Sequence, residues 1–269
     1  MDQSHIDFWL KEFEHFTTAI VANGEVPSSE LSIRLLRNMK RVICCDGALQ
    51  KLLSIDIIPD VVVGDGDSMG IPIVETQCIA SLQDEDPHRR DVARNVSGFA
   101  QKIMDILHRR DAKFCVSVNG HEIPYYPDRS EEYNDLQKAL KYCTAKGYDN
   151  ILLMGCGGLR EDHFIANLSI LAMYSKEIHL TMLTEHGVFN ILRGTSSFRS
   201  LPGMQISVFA RSPHTKLTFT GLKYPVNDHS FKWLWEGCLN EAVDDKFVVE
   251  ASDDEPVVIY RALEMKNEE

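Results

Sequence analysis

The first two-thirds of the chain alternates short apolar runs with helical patterns. In "NDLQKALKYC", apolar residues fall at i, i+3, i+4 and i+7, beginning at Leu136, and "EDHFIANLSILAMY" has a similar period from Phe164. These spacings predict amphipathic helices, and a further helix is predicted from about Val92. Because strands alternate with helices, we expect βαβ units and a mostly parallel sheet. The predicted buried strands are residues 17–24, 41–47, 60–66, 113–118, 150–158 and 178–183.

The pattern changes after about residue 185. Short β-rich runs separated by turn residues follow one another, and no long amphipathic helix interrupts them. This texture predicts a compact antiparallel sandwich or barrel. We therefore predict an α/β fold with two domains. Residues 1–184 would form a mostly parallel sheet flanked by helices, and residues 185–269 an antiparallel β-sandwich.

Composition and charge exclude several kinds of partner. The 269 residues include 40 Asp and Glu against 28 Lys and Arg, a formal net charge of −12. Nucleic acid is therefore not an expected partner, since its binding depends largely on Lys and Arg. An anionic substrate would need a metal ion or a local basic patch. Seven cysteines without a C-x-x-C motif suggest reduced, mostly buried thiols. With no signal-peptide pattern and no apolar run long enough to span a bilayer, we expect a cytoplasmic protein.

Carboxylates follow the predicted strands at matching positions. Asp46 comes after "VICC", Asp65 and Asp67 come after "DVVV", and Asp135 opens a predicted helix. The carboxyl ends of parallel strands share one edge of the sheet, and residues i and i+2 face the same side. With no lysine nearby, such carboxylates would repel one another unless they share a proton or a cation, and their hard oxygens suit Mg²⁺. The alternative is a polar turn with helix-capping aspartates.

A second polar cluster, "GCGGLREDHFIAN", combines three glycines after a strand with charged residues at a helix start. Backbone N–H groups at a helix start favour an anion, and the guanidinium of Arg160 suits phosphate oxygens. The alternative is a helix-capping salt bridge between Arg160 and Asp162, with His163 only packed nearby. "GDGDSMG" departs by one residue from the dinucleotide spacing, and we reject a dinucleotide loop.

Taken in order, five sequence blocks resemble the thiamin pyrophosphokinase family. They are "CDGALQKLL…PDVVVGDGDS", "NDLQKAL", "GGLREDHFIANLSIL", "GLKYPV" and "GCLNE". The resemblance implies an α/β domain followed by a β-sandwich, in a homodimer whose active sites lie at the subunit interface. It also implies Mg²⁺-dependent transfer of pyrophosphate from ATP to the hydroxyl of thiamin, which yields thiamin diphosphate and AMP.

The resemblance also assigns roles to individual residues. We further hypothesise that Asp135, near the thiamin hydroxyl, orients it or accepts its proton. The metal candidates are Asp46, Asp65, Asp67 and Asp135. The catalytic candidates are Asp65, Asp67, Asp135 and Arg160. The ATP-binding candidates are Asp46, Gly47, Gly64, Ser68, Gly158, Arg160, Asp162 and His163. The thiamin candidates are Tyr224, Glu132, Asn240 and Trp233, with Tyr224 preferred.

The sequence departs from the family pattern at several positions, among them Gln50, Glu132, Leu159 and Leu239, and carries an apparent insertion at residues 84–128. Two other functions therefore stay open. One is a different Mg²⁺-dependent transferase that uses a nucleotide, such as a sugar-nucleotide enzyme. The other is a non-catalytic binder of ATP or a thiamin compound.

Overall fold

The computed structural model describes residues 1–71, 73–75, 114–118 and 121–264. Within these ranges the helices are α1 (Gln3–Glu12), α2 (Glu30–Asn38), α3 (Leu49–Ser54), α4 (Asp135–Ala145) and α5 (Glu161–Tyr174). The strands of the first part are β1 (Thr18–Val21), β2 (Arg41–Cys45), β3 (Val61–Gly64), β4 (Ile73–Glu75), β5 (Phe114–Val118), β6 (His121–Pro127), β7 (Asn150–Met154) and β8 (His179–Leu183). The later strands are β9 (Gly187–Leu192), β10 (Thr195–Arg199), β11 (Gln205–Ala210), β12 (Leu217–Thr220), β13 (Asn240–Glu241), β14 (Lys246–Ala251) and β15 (Val257–Ala262).

Twelve of these strands form one sheet in the order β13-β11-β15-β9-β8-β7-β1-β2-β3-β6-β5-β4. The six strands from β8 to β6 are parallel, and Ala19 of β1 lies opposite Val42 on one side and Leu152 on the other. The remaining strands of this sheet pair antiparallel at both ends. The mixed α/β fold, with mostly parallel pairing among the strands of residues 1–184, is thus confirmed.

Both faces of the parallel strands are buried, which explains their continuous apolar sequences. On β1, Val21 belongs to a core with Trp9 and Leu35 from α1 and α2. Its neighbour Ile20 belongs to a second core, on the other side, with Leu140 of α4. Side-chain alternation along each strand therefore serves two cores, one on each face of the sheet.

The antiparallel C-terminal strands also appear where the sequence predicted them, but they do not form a sheet apart from the first. β9 pairs with β8, because the short turn at residues 184–187 is closed by Thr184, which hydrogen-bonds Gly187 through both its backbone N–H and its hydroxyl. β15, β11 and β13 then extend the same sheet. Of the strands that the structure describes, β10, β14 and β12 alone form a separate three-stranded sheet.

A buried ion pair joins the two ends of the chain. Arg261 of β15 is almost fully buried, and its Nη1 donates to Glu12 Oε1 of α1 at 2.7 Å and to the Arg199 carbonyl at 2.8 Å. Its Nη2 donates to Asn190 Oδ1 at 3.1 Å. A buried guanidinium needs such partners, because desolvation disfavours its charge. The N-terminal helix is therefore fastened to the C-terminal strands.

The sequence pattern missed β6 and misjudged β5. β6 contains Pro124 and Pro127, which reduce strand signals because proline cannot donate to a sheet. β6 runs parallel to β3, whereas β5, predicted within the parallel part, pairs antiparallel with both β4 and β6. The helix predicted from Val92 lies outside the described residues, as does most of the insertion at 84–128.

The structure also bears on the predictions about cysteines and membranes. The six cysteines that the structure describes carry no disulfide, and five of them are buried. Among the described helices, none combines the length and the apolar character that crossing a membrane requires.

Candidate active site

Three of the predicted carboxylates converge beyond the ends of β2 and β3. Asp46 begins a 3₁₀ turn directly after β2, and Asp65 and Asp67 lie directly after β3. These strands are parallel neighbours, with Cys45 opposite Val63. As a result, one carboxylate oxygen from each aspartate lies within 4.8 Å of the other two.

The backbone around Asp46 holds its carboxylate in place. Oδ1 accepts a hydrogen bond from Gly47 N at 2.6 Å, and Oδ2 accepts one from Gly66 N at 2.9 Å. A Cβ atom at Gly64 would lie 2.6 Å from Asp46 Cγ, so only glycine leaves room for this side chain. Two residues predicted to bind ATP, Gly47 and Gly64, therefore support Asp46 in this structure.

Burial of Asp46 changes its acidity. Desolvation, followed by the nearby charge of Asp135, raises the pKa of Asp46 to about 6. The hydrogen bonds from Gly66 and Gly47 favour the charged form and oppose this rise only in part. Burial and the neighbouring carboxylate of Asp135 therefore favour the protonated form of Asp46.

Asp135 joins this group through a lysine that the sequence analysis overlooked. Lys138 Nζ lies 2.9 Å from Asp65 Oδ2 and 3.0 Å from Asp135 Oδ1. The expectation of carboxylates with no lysine nearby was therefore wrong. Residues i and i+3 share one face of a helix, so the spacing of Asp135 and Lys138 on α4 was an available signal.

The lysine alters the acidity of its partners. Its hydrogen bond lowers the pKa of Asp65. Burial alone would lower the pKa of Lys138, but the bonds to Asp65 and Asp135 outweigh burial and raise it. The ammonium is therefore charged at neutral pH. Asp135 is not one of the three aspartates whose oxygens converge, and its assignment as a metal ligand stays a prediction.

A cavity of about 410 Å³ opens beside these acids. It lies at the end of β1, which pairs with β2 on one side and with β7 on the other. The order of the strands along the sheet reverses direction at this point. Ligands of open α/β sheets bind at such a switch point, beyond the carboxyl ends of the strands. Residues predicted for the site that line the cavity are Ser68, Asp135, Arg160 and His163.

Two positions of family departure also lie at this site. Leu159 is exposed and lines the cavity. Gln50 donates from Nε2 to the Met69 carbonyl at 3.3 Å, which ties α3 to the loop that contains Asp65 and Asp67. The side chain of Gln50 therefore supports the loop that contains Asp65 and Asp67.

Arg160 and Asp162 form the salt bridge considered as the simpler alternative. Arg160 Nε donates to Asp162 Oδ1 at 3.1 Å and Nη2 donates to Oδ2 at 2.6 Å. The bond lowers the pKa of Asp162. Both side chains are exposed, and exposed pairs of this kind are weak. Arg160 can therefore exchange Asp162 for a phosphate at little cost.

Lys51 is a second basic residue that the sequence analysis did not assign. Its Nζ donates to the carbonyls of Asn23 and Gly24 at 2.9 and 2.7 Å, and to Asn23 Oδ1 at 2.7 Å. Burial lowers the pKa of Lys51. Because Lys51 lines the cavity, it adds positive charge beside the loop that follows β1. No short sequence motif signals this role.

The lining of this cavity includes none of the four thiamin candidates, Tyr224, Trp233, Asn240 and Glu132. Tyr224 is 60% exposed, and its backbone is held by Asn240, which accepts from Tyr224 N at 3.0 Å and donates to its carbonyl at 2.8 Å. Trp233 and Leu239 are also exposed, and Leu239 has a φ of 60°.

A larger cavity of about 680 Å³ lies between α5 and the C-terminal strands. Its walls are mostly apolar and include Phe164, Phe189 and Tyr260. Gly158, predicted to bind ATP, is on the wall of this larger cavity and does not line the smaller one.

The fold and site define an α/β protein with converging carboxylates and a cavity at the switch point of its sheet. Two family models match the sequence: "Thiamin pyrophosphokinase, catalytic domain" over residues 104–182, and "Thiamin pyrophosphokinase, substrate-binding domain" over residues 187–260. Together they span more than half of the chain. The chain belongs to the thiamin pyrophosphokinase family.

Solved structures agree on the fold. A thiamine pyrophosphokinase from Bacillus subtilis is similar at a TM-score of 0.62 and 20% identity, covering 92% of this chain and 99% of that one. The thiamin pyrophosphokinase from Candida albicans has a TM-score of 0.64 at 15% identity, with 94% and 90% covered. The yeast thiamin pyrophosphokinase has a TM-score of 0.60 at 11% identity, covering 97% of this chain and 90% of that one. No curated protein matches the sequence significantly.

Proposed function

We propose that this protein is a thiamin pyrophosphokinase, which transfers pyrophosphate from ATP to the hydroxyl of thiamin. The observation that carries the proposal is the convergence of Asp46, Asp65 and Asp67 within 4.8 Å, beside a cavity at the switch point of the sheet. In this reaction the thiamin oxygen forms a bond to the β-phosphorus of ATP, and the bond between that phosphorus and the oxygen of the α-phosphate breaks. The products are thiamin diphosphate and AMP.

The three aspartates fit a magnesium ion. Their oxygens are hard ligands and lie close enough to contact one ion. The pKa of Asp46 is raised by burial and by the neighbouring Asp135, and a bound cation would relieve this unfavourable charge. When bound, Mg²⁺ would neutralise charge on the polyphosphate of ATP. Asp46, Asp65 and Asp67 would hold the ion, and Asp135 is the further candidate ligand.

Basic and backbone groups around the cavity support a nucleotide with its phosphates. Arg160 stands at the start of α5, where unpaired backbone N–H groups favour an anion. Lys51 adds a second positive charge on the cavity wall. On this proposal, Arg160 releases Asp162 and turns its guanidinium toward the phosphates of ATP.

Asp135 is the proposed partner of the thiamin hydroxyl. It lines the cavity and is held by Lys138 near the three aspartates. Its carboxylate would accept the hydroxyl proton, or orient the hydroxyl, as the oxygen attacks phosphorus. Positioning and charge stabilisation account for most of the catalysis in such transfers.

Thiamin would bind between two copies of the chain. Tyr224 is exposed and lies outside the cavity lining of its own chain, so it is free to face the cavity of a second copy. An aromatic face attracts the positively charged thiazolium ring. The apolar side chains exposed on α5, Ile165 and Met173, are suited to a subunit interface.

On this proposal residues 1–184 form the catalytic domain and residues 185–269 the thiamin-binding sandwich of a homodimer.

One assay tests the proposed function. Purified protein is incubated with Mg²⁺, ATP and thiamin, and both AMP and thiamin diphosphate are measured. We expect the two products to form in equal amounts. Parallel reactions omit thiamin or contain EDTA, and both should give no product. If the protein binds ATP and thiamin but forms no AMP, it is a binder. If it turns over a nucleotide-sugar instead, the alternative transferase is correct.

Replacing Tyr224 with Ala is expected to raise the KM for thiamin about 10- to 50-fold with little change in the KM for ATP. The expected loss is the cation–π and stacking energy of an aromatic face, about 2 kcal/mol in a desolvated site. Steady-state kinetics with each substrate varied in turn measures both values. Trp233→Ala is the matched variant, because this side chain is also aromatic and exposed. A larger effect at Trp233 would transfer the stacking role to that residue.

The stabilisation by Mg²⁺ is expected to grow as pH rises through about 6. Because the pKa of Asp46 is raised from 3.8 to about 6 on folding, the folded protein binds the extra proton between these values. Its metal-free stability therefore falls as pH rises across that range. Mg²⁺ competes with this proton. We expect a rise in Tm of about 5 °C at pH 7.5 and almost none at pH 4.5.

Thermal unfolding at both pH values, with EDTA or with Mg²⁺, measures the effect. Asp46→Asn should abolish the Mg²⁺-dependent shift at pH 7.5. Equal stabilisation by Mg²⁺ at pH 4.5 and 7.5 would mean that Asp46 does not bind the ion.

A further inference from the structure

Lys138 is an unusual residue for the inner face of a helix. Only 3% of its side chain is exposed, whereas the side chains of Asp65 and Asp135 are 35% and 31% exposed. A buried ammonium requires charged or polar partners because it has lost its hydration. Both partners here are aspartates proposed for the active site, one from the loop after β3 and one from the start of α4.

The contacts of Lys138 restrict both carboxylates. Asp65 is fixed on two sides, since Oδ2 accepts from Lys138 at 2.9 Å while Oδ1 accepts from Asp67 N at 3.2 Å. Asp135 Oδ1 accepts from the same ammonium at 3.0 Å. One buried group therefore sets the separation between an aspartate of the converging group and the aspartate that lines the cavity.

Charge explains why a cation is needed at this point. Asp46, Asp65, Asp67 and Asp135 would together carry four negative charges when ionised. Without the ammonium, Asp65 and Asp135 would repel each other, and Asp135 would be free to turn away from the loop after β3 or to bind the metal ion itself. The buried side chain of Lys138 is itself too enclosed to reach a substrate in the cavity.

We propose that Lys138 is a positioning residue that holds Asp135 beside Asp65, so that the carboxylate acting on the thiamin hydroxyl stays apart from the metal ion. The inference rests on the proposed function, and Lys138 acts only through Asp65 and Asp135. In this arrangement Asp46, Asp65 and Asp67 bind the metal ion, and Asp135 acts on the thiamin hydroxyl. A neutral residue at position 138 should therefore improve metal binding while it impairs catalysis.

The test compares Lys138→Met with Lys141→Met, a matched change one turn further along α4. Lys141 lies over the ring of Tyr133 and serves as the control. Binding of Mn²⁺ without ATP is measured by electron paramagnetic resonance, and kcat is measured with saturating Mg²⁺. For Lys138→Met we expect Mn²⁺ to bind at least about threefold more tightly, because a nearby positive charge is gone and Asp135 is released to bind the ion. We expect kcat to fall about a hundredfold, because Asp135 is misplaced. Lys141→Met should change neither value.

A double-mutant cycle with Asp135→Asn isolates the proposed route. If Lys138 acts through Asp135, Lys138→Met should lower kcat less than about threefold in the Asp135→Asn background. The double variant loses the positive charge of Lys138 and the negative charge of Asp135 together. It can therefore be compared with Asp135→Asn even where Lys138→Met alone fails to fold. A loss of about a hundredfold between Asp135→Asn and the double variant, as large as that expected for Lys138→Met in the wild-type background, would overturn the proposal.

The metal readout separates this inference from the proposed function. If wild-type protein makes no thiamin diphosphate, the proposed function fails, and Mn²⁺ binding still tests the inference: the gain in affinity of Lys138→Met should largely disappear when Asp135→Asn is added, because Asp135 is then no longer a charged ligand. Weaker or unchanged Mn²⁺ binding would overturn the inference, because it would show that Lys138 only supports the packing of α4.

Discussion

Asp135→Asn is expected to lower kcat about 10²- to 10⁴-fold, the range typical for loss of a general base. The Kd for ATP should change less than about threefold. Asn has nearly the same volume as Asp, but its amide cannot accept the hydroxyl proton. The helix start should survive, since α4 is capped by Asn134, whose Oδ1 accepts from Gln137 N at 2.9 Å. Lys138 retains its bond to Asp65.

Single-turnover formation of AMP measures the chemical step, and calorimetry with a non-hydrolysable ATP analogue measures nucleotide binding. Asp149→Asn is the control, because Asp149 is an exposed aspartate that precedes β7, at the opposite end of the parallel strands. Turnover within threefold of wild type in Asp135→Asn would exclude Asp135 from proton transfer. A parallel loss of ATP binding would assign it to the nucleotide site.

Asp67→Asn is expected to reduce kcat/KM at least about 10³-fold, because one of three charged oxygens around the metal becomes a neutral amide. The half-saturating concentration of Mg²⁺ should rise in the same variant. Asp67 is the best choice among the three aspartates for this test. It is exposed, and its Oδ1 accepts a hydrogen bond from the neighbouring Ser68 Oγ at 2.7 Å, so the fold should tolerate the change.

Titration of activity against Mg²⁺ checks this result, and the unfolding temperature without metal should match that of wild type. Asp245→Asn, in the exposed turn before β14, is the control for loss of one negative charge. If Asp67→Asn retained wild-type activity at low Mg²⁺, the converging aspartates would not be the metal site.

Much of the candidate site could be predicted because the relevant pattern is local. Asp65 and Asp67 follow a strand of four consecutive buried residues, and Asp46 follows its parallel neighbour. An apolar run that ends in turn residues defines where a strand stops, and parallel strands stop at a common edge. The convergence of these three aspartates therefore follows from strand order and strand length alone.

Other features depend on groups that are distant in sequence. Lys138 reaches Asp65 across 73 residues, and Lys51 reaches the loop at Asn23 from α3. A lysine in a helical pattern usually indicates a solvated face, and burial reverses that expectation only when a specific pair of acids surrounds the ammonium. Such pairing requires the packed positions of β3 and α4.

The sequence by itself determined the order of strands and helices, the shift from parallel to antiparallel pairing, and the positions of the acids after β2 and β3, since hydrophobic period and turn residues act over a few residues. Only the tertiary structure decided that β9 extends the first sheet, that Tyr224 lies outside its own chain's cavity, and that Lys138 joins Asp65 to Asp135. These outcomes depend on the packing and electrostatics of residues far apart in the chain, which no local pattern contains.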